Sequence, residues 1–142
     1  MESISKIKLK NQAGAITMLK GYVKVASDSE AYYKCGATDN FDVGQSGMID
    51  LNDHIGDAEK KQSRKDGYIF PGDLVTAYAA ISAHSDVYGS TWLTYDPHAN
   101  RTAVFILSGA LWDLNVAFEG FEHLDRPVPV LFPDIISVFS FK

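Results

Sequence analysis

Apolar side chains recur at every second residue along most of this chain, and a period of two is the mark of strands rather than helices. Between Ile16 and Ala26, Leu19, Gly21, Val23 and Val25 share one face while Lys20, Tyr22 and Lys24 share the other. Gly21 interrupts a strand interior, which predicts a bulge or a close backbone approach. From Leu74 to Ala83 the set Val75, Ala77, Ala79, Ile81 and Ala83 is small and apolar, so a second layer can pack closely on it. Turn residues punctuate the chain about every ten positions, a cadence that predicts a sandwich or barrel. The expected fold is therefore all-β: a single-domain antiparallel β-sandwich, jelly-roll or immunoglobulin-like.

Several finer expectations follow from the same spacing. Residues 4–10 and 16–26, separated by Asn11-Gln12-Ala13-Gly14, are predicted to form a hairpin. The alternating Lys6, Lys8 and Lys10 read as the solvated face of an edge strand. Thr91–Tyr95 and Arg101–Leu107 are expected to pair back across a turn at 96–100, and alternation over 111–121 assigns Trp112 to the core. The polar stretch 52–67 carries one short helical excursion near residues 57–65, acidic at its start and basic at its end. Pro127, Pro129 and Pro133 break up a C-terminal extension over 122–142 that ends in the β-prone run Ile135–Phe141.

Composition narrows the function classes. A chain of 142 residues, 46% apolar, builds one core without crosslinks, and its lone Cys35 allows neither an internal disulfide nor a cysteine metal cage. Cys35 reads as a buried hydrophobe. Residues 1–70 balance ten basic against ten acidic side chains, whereas 71–142 hold Arg101, Arg126 and Lys142 against eight acids. The net charge of −5 comes from the second half, so nucleic acid is not an expected partner. No run of about 18 apolar residues would cross a bilayer as a helix. The start, MESISKIKLK, shows no signal-peptide pattern, which points to a cytoplasmic chain or one released by a non-classical route, unless a leader was removed beforehand.

No nucleotide-cradling, nucleophile-elbow, metalloprotease or CxxC motif is present, so no catalytic residue and no cofactor is assigned. The densest cluster of chemistry-bearing residues is 84–98. There Asp86, Tyr88, Trp92, Tyr95, Asp96 and His98 are the candidate ligand-binding residues: ring faces receive apolar sugar or lipid surfaces, and carboxylates accept hydroxyl hydrogens. The same window offers His84, Asp86, Asp96 and His98 as metal ligands, a weaker reading because nothing in the spacing makes them converge. Asp50–Asp57 has a loose likeness to a calcium loop, but Ile55 stands where that loop needs Gly and Lys61 where it needs Glu. No metal is assigned. Seven tyrosines exceed what a core of this size needs, so some must reach the surface, where they favour recognition of sugars, lipid headgroups or another protein over a buried catalytic pocket.

These readings place the chain among small β-sandwich binding proteins, a class that includes lectins and membrane-active toxins. The leading expectation is a non-enzymatic protein that binds a glycan or lipid headgroup through the aromatic-rich loops of 84–98, with a membrane-active, toxin-like role acting on a membrane surface as its sharper variant. The alternatives are an enzyme using Asp or His from 84–98, and an assembly protein that forms a homo-oligomer through residues 127–142.

Overall fold

A computed structural model describes residues 2–123, leaving aside the side chains of 28–30 and 123. The C-terminal strand expected over 135–141, and assembly through 127–142, lie outside the described residues. Ten strands occur in chain order: β1 (Ser3–Ile4), β2 (Lys6–Asn11), β3 (Thr17–Val25), β4 (Asp28–Ala37), β5 (Ser46–Asp50), β6 (Leu74–Ile81), β7 (Val87–Tyr88), β8 (Leu93–Tyr95), β9 (Arg101–Ala110) and β10 (Asp113–His123). They form a six-stranded sheet ordered β1-β8-β6-β3-β4, with β7 also on β6, and a four-stranded sheet ordered β10-β9-β2-β5. The fold is all-β, as the alternation predicts. Both sheets are mixed rather than purely antiparallel, because β1 runs parallel to β8 and β2 parallel to β9.

The parallel pairs arise where the N-terminal strand changes sheets. Ile4 belongs to the first sheet and Lys6 to the second. Between them Ser5, 3% exposed, donates its amide to Arg101 and accepts one from Leu51. Both sheets contribute to one apolar cluster, in which Ile7, Leu9, Leu19, Val23, Val75, Phe105 and Leu107 are fully buried. The predicted faces are found within the strands: β3 buries Leu19 and Val23, and β6 buries Val75, Ala77, Ala79 and Ile81, whereas Ala83, expected in the same set, lies past the end of β6 at φ 61° and is exposed. Gly21 is both close-packed and beside a bulge. A Cβ there would lie 2.8 Å from the Cys35 carbonyl oxygen, and the β3–β4 register shifts between Lys20 and Gly21. Cys35 is buried as expected. Burial, followed by the Asp73 charge, pushes its thiol pKa up to about 12.

The predicted hairpin of 4–10 with 16–26 does not form, since β2 lies in one sheet and β3 in the other. Asn11 explains the crossing. Its buried side-chain amide donates to the carbonyls of Ala15 and Phe41, while its oxygen accepts the Ala13 amide. The loop is thereby tied to the end of the core instead of turning tightly back. Likewise β9 does not pair back on β8 but crosses to the second sheet and pairs with β2 and β10. Strand β2 is interior, with β5 and β9 on its two sides, so Lys6, Lys8 and Lys10 are not on an edge. Each ammonium instead meets a carboxylate: Asp50 at 3.7 Å, Glu122 at 3.4 Å and Glu119 at 2.9 Å. Trp112 is 88% exposed rather than in the core, because Leu111-Trp112 is the turn of the β9–β10 hairpin and breaks the alternation.

The polar stretch between β5 and β6 makes three short 3-10 turns: Leu51–His54, Ala58–Lys60 and Arg64–Asp66. The second begins with the Asp57 carboxylate accepting the Glu59 amide, the acidic start expected near residue 57. One ion pair fastens this stretch to the sheet. Asp73, 2% exposed, accepts from Arg64 Nε at 2.8 Å and Nη2 at 2.7 Å, and from the Phe70 amide at 3.0 Å. Replacing Asp73 by Ala strands the guanidinium fork and a backbone donor. We expect it to lower stability to urea by about 2–4 kcal/mol. Lys10→Ala, at a solvent-exposed pair, is expected to lose less than ~1 kcal/mol in the same assay.

Candidate functional site

The outer face of the first sheet carries a contiguous aromatic cluster built from five segments. Antiparallel pairing sets Lys34 opposite Tyr22, Tyr32 opposite Lys24, Lys20 opposite Tyr78, and Tyr78 opposite Tyr88. Because side chains on one face of paired strands stand close together, the register alone interleaves tyrosines with lysines. Tyr22 is the hub. Its ring centroid lies 5.4 Å from Tyr32, 5.2 Å from Tyr78, 4.9 Å from Tyr88 and 5.9 Å from Trp92. Tyr32 also touches Trp92 at 5.8 Å, and Tyr78 lies parallel to Tyr88 at 6.1 Å. Tyr88 is 54% and Tyr32 41% exposed, while the other three rings are half-buried.

Cations rest on this cluster. Lys24 Nζ sits 4.8 Å from the Trp92 centroid and Lys34 Nζ 4.7 Å from that of Tyr78, both within cation–π range. Among the described residues neither ammonium is paired with a carboxylate. Among the described side chains the acid on this face is Asp86, which accepts the Tyr78 hydroxyl at 2.7 Å and the Ile81 amide at 2.9 Å. Partial burial works to raise its pKa, but those two hydrogen bonds and the charges of Lys34 and Lys20 outweigh it, so the carboxyl is held below its ordinary value. Partial burial, then the bond to Asp86, pushes Tyr78 up to about 12. Tyr22 is raised in the same direction by burial and by Tyr88 and Tyr32. Around neutrality both phenols therefore keep their protons as hydrogen-bond donors.

The structure separates the six candidate residues of 84–98 into two groups. Asp86, Tyr88 and Trp92 belong to the aromatic face. Tyr95 is fully buried; its hydroxyl donates to Asn52 Oδ1 at 2.6 Å, and burial raises its pKa. Asp96 accepts the His98 amide at 2.9 Å and the Ala99 amide donates to the Asp96 carbonyl, so both residues shape the turn after β8. That turn lies at the Leu74 end of β6, whereas Asp86 caps the Ile81 end. Seven residues of strand, roughly 24 Å, separate them. Asp86 and His98 therefore cannot act as a catalytic pair, and His84, Asp86, Asp96 and His98 do not converge.

Among the described residues, no three His, Cys, Asp or Glu side chains are placed to hold one metal ion. In the calcium-like stretch Asp50 and Asp57 are spent as caps on the amides of Asn52 and Glu59. Sequence reasoning missed Tyr22, Tyr32, Tyr78, Lys24 and Lys34 as site residues. The alternation places Tyr22 and Lys24 on one face, but only the strand order brings the others beside them.

The Tyr78–Asp86 bond yields a pH test. A phenol whose pKa rises from 10 to about 12 on folding contributes stability that is intact below pH 10 and lost as pH climbs through 12. The difference in urea midpoint between the wild type and Tyr78→Phe is expected to stay constant from pH 7 to 9 and to narrow between pH 10 and 12. A difference that does not change across that range contradicts the assignment.

No family model matches this chain, and no curated protein matches it. Among solved structures, one titled "Trapped Toxin" aligns with a TM-score of 0.37 and 8% identity, covering 82% of this chain and 23% of the other. A disulfide-locked mutant of intermedilysin with human CD59 aligns with a TM-score of 0.35 and 9% identity, covering 83% of this chain and 24% of the other. The chain thus spans about a quarter of each of these proteins.

Proposed function

We propose that this is a non-enzymatic binding protein whose Tyr–Lys face recognises a polyhydroxylated ligand bearing an oxyanion, either an acidic glycan or a lipid headgroup. One observation carries the reading: five rings form a continuous cluster with two lysine ammoniums held on ring faces and, among the described residues, in no ion pair. Ring faces receive the C–H surfaces of a sugar, protonated tyrosine hydroxyls donate to and accept from its hydroxyls, and the ammoniums meet a sulfate, carboxylate or phosphate. Asp86 is the positioning residue, fixing Tyr78 by the bond to its hydroxyl. Tyr88 and Trp92 would contact the ligand, joined by Tyr22, Tyr32, Lys24 and Lys34. On the opposite sheet Lys6, Lys8 and Lys10 are neutralised one by one by acids, so the usable positive charge lies on the aromatic side.

The test is a glycan array containing neutral, sulfated and uronate chains, alongside sedimentation with vesicles with and without anionic headgroups. We expect retention on acidic ligands that weakens at high salt, where exposed charges are screened. Tyr88→Ala and Tyr32→Ala are expected to weaken binding about tenfold each, or ~1.4 kcal/mol. The double variant Lys24→Ala/Lys34→Ala is expected to reduce the salt dependence markedly, leaving the share of Lys20. No retention on either kind of surface removes the proposal.

A further inference from the structure

One end of the sandwich exposes three large apolar side chains, each on a different loop. Trp112, in the two-residue turn between β9 and β10, is 88% exposed; Val43, before β5, is 57%; Ile16, before β3, is 45%. The hydrogen bonds place these loops at one end. Asn11, at the end of β2, bonds Gln45 and Gly44 of the Val43 turn, and the next residue, Gln12, donates to Leu107 of β9. Ile16 accepts the Ser82 amide just past the end of β6. Beyond Leu107 the β9–β10 hairpin continues for three more residues before its turn, about 10 Å of strand, so Trp112 stands at its tip. Single exposed apolar residues are unremarkable, but three at one end, with a tryptophan wholly outside, ask for a partner.

We infer that this end inserts shallowly into the interface of a lipid bilayer, with Trp112 as the leading anchor. Tryptophan has an apolar body with one N–H and favours the boundary between headgroups and acyl chains. The three side chains sit on three different loops rather than on one continuous face, which suits a soft interface better than a folded partner. Charge specifies the kind of bilayer. The exposed charges flanking the tips are the carboxylates of Asp42 beside Val43 and Asp113 beside Trp112. Contact therefore does not depend on anionic lipid, and a neutral phosphatidylcholine surface suffices.

This inference is independent of the Tyr–Lys face and is tested apart from it. The sequence has two tryptophans, so Trp92→Phe leaves Trp112 as the only indole. With phosphatidylcholine vesicles at high salt its emission is expected to shift to the blue and to be quenched by lipids brominated on the acyl chain. Trp112→Ala in the otherwise wild-type chain is expected to lower vesicle binding about tenfold or more, while Met48→Ala, at an exposed apolar residue of β5 away from both contacts, leaves it unchanged. Unchanged emission overturns the inference, as does a blue shift without quenching, which would mark adsorption without insertion. A blue shift that grows with protein concentration in the absence of vesicles overturns it in favour of contact between copies. Loss of acidic-ligand binding with this insertion retained would count against the Tyr–Lys face alone.

Discussion

The first strand works for both layers, and most of the architecture depends on that division. By leaving the first sheet at Ser5 it gives β1 to β8 and sets β2 between β5 and β9. Hydrogen bonds on both sides of β2, with Ile7 and Leu9 buried beneath it, join the two layers by covalent chain as well as by packing. A strand that enters the second sheet cannot fold straight back as a hairpin into the first. The chain must therefore cross over, and Asn11 makes that crossing possible by satisfying backbone groups that would otherwise be buried without partners.

Since the inner faces are used up in one core, each layer is left with an outer face, and the two are composed in different ways. The second sheet covers itself with charge: Lys8 and Lys10 on β2 reach over β9 to acids on β10, and Lys6 pairs across to β5. Such pairs contribute little individually, but together they match every lysine of β2 with an acid. The first sheet uses the same alternation with tyrosine in place of the acid. The rings supply apolar contact with one another and a place for the ammonium, yet they leave its charge uncancelled. A face composed this way packs on itself without a ligand and, on the proposed reading, is still able to attract one.

Faces were legible from the sequence; neighbours were not. The period of two sorted Leu19, Gly21 and Val23 from Lys20, Tyr22 and Lys24 correctly, since alternation depends only on the local pleat. Pairing depends on where loops send the chain, and no local pattern revealed that Asn11 is buried or that β8 and β9 belong to different layers. The same limit applies to the site. Asp86, Tyr88 and Trp92 were found because they are close in sequence, whereas Tyr22, Tyr32 and Tyr78 come from three other strands and meet them only through register. Tyr95, Asp96 and His98 were grouped with them by proximity along the chain, but β8 carries those residues into the core and to the far end. Trp112 was misplaced for a different reason: it lies in the two-residue turn ahead of β10, whose Leu114, Val116 and Phe118 do face the core in the expected alternation.

Strand β3 connects the two proposed contacts and fixes their relative height. From Ile16 at the apolar end to Lys20 in the first Tyr–Lys row is four residues, about 13 Å, and to Tyr22 about 20 Å. The headgroup layer on one side of a bilayer is only roughly 5–8 Å deep. A sandwich standing on its Trp112 end would therefore carry the Tyr–Lys face above the plane of phospholipid phosphates, turned sideways to it. In that posture the face reaches a sugar chain projecting from the membrane more readily than a phosphate lying in it. Taken together, the two proposals therefore fit an acidic glycan better than a headgroup phosphate, with the bilayer supplying the floor beneath it.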